Sequence, residues 1–245
     1  MAVASVHDWA VDLVLLHGFT NTGACWQPVL NAGAGERYLA IAPDIRGHGT
    51  ASDLVPVTLD AVLRDIAELV PGGFTLAGYS MGGRIALHAA LAMPERVERL
   101  VLISASPGLA DPAERGAREQ ADRQLAAEFE SFTIEELADR WAQTPVLGGL
   151  PSAAAGLARA DRQRNTPDGL ARALRGLGTG ALPSLWDRLG ELQMRVTLAA
   201  GERDTKFVAI AEQMRARITH ASVALVPDAG HAAHLENPAA VAELL

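Results

Sequence analysis

Phe74-Thr75-Leu76-Ala77-Gly78-Tyr79-Ser80-Met81-Gly82-Gly83-Arg84-Ile85-Ala86-Leu87 is the stretch that decides how the chain is read. Its first four residues form a β-prone apolar run, and residues 84–90 have the composition of a helix. Between them lies Gly78-x-Ser80-x-Gly82. Strand, Gly-x-Ser-x-Gly, helix is the setting of a nucleophile elbow, in which a strained turn lifts a serine hydroxyl above a sheet. The glycines have a steric task, because backbone segments that approach closely leave no room for side chains. The helix that follows would direct the positive end of its dipole at Ser80. A flexible serine turn would have no need of these flanks.

Outward from the elbow the same alternation repeats. Residues 11–16 are a short β-rich run, apolar from Leu13 onward, ending in His17-Gly18-Phe19-Thr20, as at the end of a buried parallel strand. A short helix is expected over 24–30 and a strand over 38–42, then a turn-rich loop through Asp44, Gly47 and His48. Residues 58–70 place Leu59, Val62, Leu63 and Ile66 at helical spacing, with Thr58 as cap. After the elbow helix, residues 99–103 read as another buried strand. Such alternation builds a parallel sheet with helices on both faces.

The pattern breaks between about 106 and 189. No strand-like run occurs there; helices are expected over 112–132, 134–143, 152–162 and 168–177. The expected organisation is a core domain of residues 1–105 and 190–245 with a helical cap, 106–189, inserted into it. An independent helical domain is the alternative, but the segment has few large apolar residues for a core of its own. The sheet pattern resumes at 194–200, followed by a helix at 207–218, a last strand at 221–226, and a final helix from Asn237 with Pro238 in its first turn.

Bulk properties narrow the field. The length, 245 residues, fits one large domain with an insertion, and 49% hydrophobic residues allow a sizeable core. A formal charge of −8 argues against nucleic acid or an anionic membrane surface as partner. The single cysteine, Cys25, allows no internal disulfide and reads as a small packing residue. No signal peptide or bilayer-spanning run is read, so a cytoplasmic protein is expected. No histidine–carboxylate cluster has metal-ligand spacing, and no cofactor is expected. A monomer and a homo-oligomer are equally compatible with the pattern.

Functional groups of parallel sheets gather at the carboxyl ends of the strands. Ser80 follows the elbow strand, Asp204 the strand ending near Ala200, and His231 the last strand. In that order they form a candidate catalytic triad: His231 takes the serine proton, and Asp204 fixes the histidine tautomer. Asp204 could instead cap the helix that follows it. His234, His17 and His48 are rival histidines. Backbone amides of Phe19 and of Met81 are the candidate oxyanion hole.

Several stretches carry a resemblance. They are Gly78–Arg84; Pro107-Gly108-Leu109 with Glu114, Arg115, Arg118 and Asp122-Arg123-Gln124; Trp141 with Thr144-Pro145-Val146; residues 201–207; and residues 229–238. Together they resemble the α/β-hydrolase superfamily and, within it, the 2-succinyl-6-hydroxy-2,4-cyclohexadiene-1-carboxylate synthases of menaquinone (vitamin K2) biosynthesis. The likeness runs from about Leu15 to Glu243. It implies an α/β-hydrolase fold, a mostly parallel central sheet flanked by helices, with an inserted helical cap. It also implies a lyase that eliminates pyruvate from a small polycarboxylate substrate, with the triad as base. Tyr79, Arg84, Arg118, Trp141 and Arg164 match substrate-binding positions of the family, Arg164 through its spacing to Gly169. Bidentate pairing suits arginine to carboxylates. A serine hydrolase acting on esters or carbon–carbon bonds is the alternative on the same triad, and a non-catalytic binding protein is the third reading.

Overall fold

A computed structural model describes residues 12–245. Val11, expected at the head of the first strand, lies outside the described residues, as do residues 1–10 of the expected core domain. Six strands form one sheet: β1 (Leu13–Leu16), β2 (Ala40–Ile41), β3 (Phe74–Tyr79), β4 (Val97–Ile103), β5 (Arg195–Gly201) and β6 (Ala221–Val226). Their order is β2-β1-β3-β4-β5-β6, and every pairing is parallel. The chain therefore winds outward one way to β2, crosses back over β1, and continues the other way. The switch falls between β1 and β3, where ligands of such sheets bind.

Alternation along the strands builds two cores. Val14 and Leu16 of β1, Leu76 of β3, Leu100 and Leu102 of β4 and Leu198 of β5 point to one face. There they meet α1 (Leu59–Leu69) and α2 (Met81–Ala92) through Ile66, Ile85 and Leu87. Leu13, Leu15, Ala77, Val101, Ile103 and Ala199 point the other way, onto Trp26, Val29 and Val241. Burial at the two-residue period of a strand is the main stabilising term, about 25 cal/mol per Å² of apolar surface removed from water. Cys25 is a free thiol packed in the second core.

The segment between β4 and β5 contains no strand. Its helices are α3 (Pro112–Phe129), α4 (Ile134–Ala142), α5 (Ser152–Arg162) and α6 (Pro167–Leu177). Each start but one has a side-chain cap. Asp111 accepts from the amides of Ala113 and Glu114, Thr133 and Glu136 form a reciprocal box, and Thr166 accepts from Gly169 with Pro167 at the first position. A small apolar cluster of Ala126, Phe129, Leu137, Leu170 and Leu174 joins α3, α4 and α6, and Phe19 and Trp141 pack against it. After β5 comes α7 (Thr205–Arg215), and the last helix is α8 (Pro238–Glu243), capped by Asn237.

Some expected bounds move. The helix expected to reach 132 stops at Phe129, because Phe132 turns back beneath the Arg140 guanidinium, 4.0 Å from its ring centre. The helix expected over 24–30 is a 3₁₀ turn (Gly23–Trp26), one α turn (Gln27–Val29) and a wide turn (Leu30–Ala34) in which Gly33 takes φ 115°. The strand expected over 38–42 shrinks to Ala40–Ile41, an edge strand paired on one side only and stopped by Pro43. Among the described residues, no helix is long and apolar enough to cross a membrane.

Candidate active site

Ser80 sits between β3 and α2 at φ 51°, ψ −109°, a strained conformation for a residue with a side chain. Its amide donates to the Ile103 carbonyl at 2.9 Å, and its carbonyl accepts from Arg84 at 3.1 Å. The flanking glycines are required by contact: a Cβ on Gly82 would collide with the Leu16 and His17 carbonyls, and one on Gly78 with the Gly82 carbonyl. The elbow is thus wedged against the end of β1.

Registers Tyr79↔Ile103, Ile103↔Ala199 and Gly201↔Val226 align the strand ends, so residues far apart in the chain emerge side by side. His231 Nε2 lies 3.1 Å from Ser80 Oγ, and His231 Nδ1 lies 2.7 Å from Asp204 Oδ2. An ionised carboxylate only accepts, so Nδ1 carries the proton and Nε2 is free to accept from the serine hydroxyl. The other Asp204 oxygen, Oδ1, accepts from the Phe207 amide at 3.4 Å and caps α7. One carboxylate oxygen thus meets the helix start and the other meets His231. The rings of Phe207 (4.6 Å between centres) and Tyr79 (5.4 Å) fix the plane of His231.

The rival histidines are accounted for otherwise. His17 Nε2 accepts from the Ile45 amide at 2.9 Å, while Nδ1 donates to the Gly18 carbonyl. His48 packs edge-on to His17 and to Phe19, which buttresses the loop after β1. Burial, then the neighbouring His17, pushes His48 down to about 3, and burial lowers His17 as well. His234 is fully buried against Tyr79, 4.2 Å between ring centres, and burial, then His231, lowers it to about 3. All three rings are neutral at pH 7.

A cavity of about 60 Å³ opens above Ser80. Phe19, Tyr79 and His231 line it from the sheet side, and Trp141, Leu147 and Arg162 from the helical segment. Phe19 reaches across, stacked on Phe129 and edge-on to Trp141 at 5.0 Å. The Arg162 side chain is nearly enclosed, at 3% exposure, and its Nε has no partner. Burial raises the Tyr79 phenol pKa, with the Arg162 charge opposing.

The model of the Alpha/beta hydrolase family matches residues 13–244. The 2-succinyl-6-hydroxy-2,4-cyclohexadiene-1-carboxylate synthase of Enterobacter sp. (strain 638) is 34% identical over 95% of this chain and 89% of its own length. The enzyme of that name from Salmonella paratyphi C is 35% identical over 96% and 92%. MenH from S. aureus superimposes with a TM-score of 0.89 at 30% identity, covering 99% of this chain and 94% of its own. A hydrolase from Pseudomonas aeruginosa superimposes at 0.77 with 26% identity, over 96% and 88%. The chain belongs to the 2-succinyl-6-hydroxy-2,4-cyclohexadiene-1-carboxylate synthase family, within the alpha/beta hydrolases.

Not every arginine expected from the resemblance to this synthase family faces this cavity. Arg164 does not enter the cavity. Its side chain is 64% exposed and opens onto surface depressions beside Asp44, Thr50 and Asn31, with Asp161 as its nearest acid at 3.9 Å. The inward arginine is Arg162, which the sequence reading missed. A signal for it exists: Ala154, Ala158, Asp161 and Arg162 are the buried positions of α5, spaced by four, three and one, and Arg164 lies past the end of that helix. The exposed Leu157 confuses that stripe. Arg118 is 47% exposed and paired at 2.7 Å with the buried Asp122, also away from the cavity lining. Arg84 is buried but does not line the cavity; its Nε and Nη1 lack partners. Burial and then the Arg118 charge lower it to about 10, so it stays a cation. Tyr79 and Trp141 do line the cavity. Among the described residues, no group of three or more His, Cys, Asp or Glu could hold a metal ion.

Proposed function

We propose that this member of the synthase family eliminates pyruvate from 2-succinyl-5-enolpyruvyl-6-hydroxy-3-cyclohexene-1-carboxylate, giving 2-succinyl-6-hydroxy-2,4-cyclohexadiene-1-carboxylate. Ser80, relayed to His231 and oriented through Asp204, acts as the base. It takes the ring proton next to the succinyl ketone, and the proton passes to His231 Nε2. The carbonyl becomes an enolate, whose oxygen is held by the Phe19 and Met81 amides. The electron pair moves through the ring double bond and breaks the bond to the enolpyruvyl oxygen. Enolpyruvate leaves, gains a proton at carbon as pyruvate, and the ring retains a conjugated diene.

The observation that carries this reading is Arg162, a buried guanidinium with an unpaired Nε in the cavity of Ser80. A buried cation without a partner is costly unless an anion is meant to meet it. Arg84, on the elbow helix, is also a buried cation with unpartnered nitrogens, but it lies outside the cavity lining. The substrate carries carboxylates, one of which would pair with Arg162; a neutral ester carries none. In this reading residues 106–189 act as a cap over the core of 1–105 and 190–245. A cavity of about 60 Å³ is far below the ~300–1,000 Å³ of ordinary ligand pockets, so the cap must lift to admit substrate.

Serine-hydrolase activity is the second reading, favoured by the complete Asp204–His231–Ser80 row. One assay separates the two: incubate the protein with the enolpyruvyl substrate and follow pyruvate release and diene absorbance. Turnover is expected. No turnover beside brisk cleavage of a p-nitrophenyl ester would sink the lyase assignment.

A further inference from the structure

The loop after β1, residues 18–22, carries Phe19, and the helical segment holds this loop. Asp161, at the end of α5, is buried. Its Oδ2 accepts from Asn21 Nδ2 at 3.0 Å and from the Thr22 amide at 2.9 Å, and its Oδ1 accepts from the Thr22 hydroxyl at 2.5 Å. Asn165, just beyond the same helix, is also buried. Its Nδ2 donates to the Thr20 carbonyl at 2.9 Å and to the Arg162 carbonyl at 3.0 Å, while its Oδ1 accepts from the Gly49 amide at 3.0 Å. The loop needs such holding. Thr20 is β-branched yet sits at φ 67°, a conformation that persists only where the surroundings over-determine it.

We infer that Asp161 and Asn165 are positioning residues: they clasp the strained loop so that the Phe19 amide points at the developing oxyanion. The inference rests on the oxyanion role proposed above for Phe19. Its consequence is a coupling. Arg162 lies between the two clasp residues in the chain and lines the cavity. One short stretch, 161–165, thus sets both the anion-binding guanidinium and the oxyanion donor. Lifting the cap would release the Asp161 and Asn165 bonds, and the donor would be assembled only when the cap is seated.

The two clasp residues respond in opposite ways to their conservative swaps. In Asp161→Asn the amide oxygen can keep both bonds at the Oδ2 position. Its NH₂ then faces the Thr22 hydroxyl, which turns to accept. In Asn165→Asp no such adjustment exists, because a carboxylate would face the Thr20 and Arg162 carbonyl oxygens. The test is the rate of Ser80 phosphonylation by a fluorophosphonate. The Ser80 Oγ–P bond forms, fluoride leaves, and the hydroxyl proton goes to His231. This rate reads the nucleophile and oxyanion donors without any elimination chemistry, so a failed pyruvate assay leaves it interpretable.

Each variant is measured well below its own melting midpoint, alongside kcat and KM for pyruvate release. Asp161→Ala is expected to slow phosphonylation by about 10²-fold, the usual effect of losing one oxyanion donor, and to lower kcat in parallel. Asp161→Asn should stay within about fivefold of the parent, while Asn165→Asp should be as slow as Asn165→Ala, about tenfold or more down. Should Asp161→Ala not fold, the Asn165 pair carries the test. Phosphonylation at the parent rate in Asp161→Ala and Asn165→Ala, whatever their melting midpoints, would overturn the inference. So would an Asp161→Asn variant as slow as Asp161→Ala.

Discussion

At the carboxyl edge of the sheet, Asp204, His231 and Ser80 form a row in which each polar side-chain atom has a partner within 3.4 Å. Across the cavity, on the helical segment, Arg162 has an enclosed Nε with none. The sheet side is a finished device; the helical side is a half-pair. Strand register can bring three residues together with no ligand present, because parallel pairing fixes where each strand ends. A lone buried cation stores an unmet demand for charge, which the fold tolerates only because burial elsewhere compensates. In the proposed function, chemistry is sited on the sheet side and selectivity on the helices that lift.

Substitutions on either side of the cavity test this division. The largest effect should come from Ser80→Ala, with pyruvate release falling about 10⁴-fold or more, since triad members act as a unit. A loss under about tenfold would move the base elsewhere. Next is Arg162→Ala, expected to raise KM for the anionic substrate about 10²-fold, the loss of a charged hydrogen bond at a buried site. Cleavage of a neutral p-nitrophenyl ester should change less than threefold; equal losses on both substrates would deny Arg162 a carboxylate.

Acid gives a third test, on stability. His48 and His234 are held near 3 and His88 near 4, each chiefly by burial, against about 6.5 unfolded. Between those values the unfolded chain binds more protons. The stabilising contribution of neutral burial is complete above about pH 6.5 and is lost as pH falls below it. The expected slope is up to about 1.4 kcal/mol per pH unit for each ring, read from urea midpoints at pH 7.5, 6 and 5. All these rings lie on the sheet side; the segment 106–189 has no histidine. Equal stability at pH 7.5 and 5 would contradict the neutral, buried assignment. The smallest effect belongs to Arg164→Ala, expected within twofold of the parent in kcat and KM because its side chain points into water. A tenfold rise in KM would restore it to the substrate.

The same contrast explains what the sequence disclosed. The elbow, the strand ends and the order Ser80, Asp204, His231 are local chemistry on a regular scaffold, and turn residues mark where each strand stops. The bounds of α5 and β6 agree with the expected 152–162 and 221–226. What stayed hidden depends on tertiary contact. The fragments between Gly23 and Ala34 break at Gly33, whose left-handed φ no periodicity reveals. The short helix Ala233–Glu236 has no side-chain cap to announce it. Arg162 and Arg164 are chemically identical and two positions apart. The phase of α5 against the loop after β1 turns Arg162 inward, while Arg164 lies past the helix end, and the alanines of that helix record the phase weakly.

Asp204 divides its two oxygens between α7 and His231. A genetic screen scoring only growth could not tell a folding defect from a chemical one at this position, because one carboxylate serves both. Codon 204 should therefore tolerate almost no exchange even in a host supplied with excess substrate. An asparagine there, which keeps the helix start while offering the imidazole an ambiguous partner, is the change that would let the two duties be weighed apart.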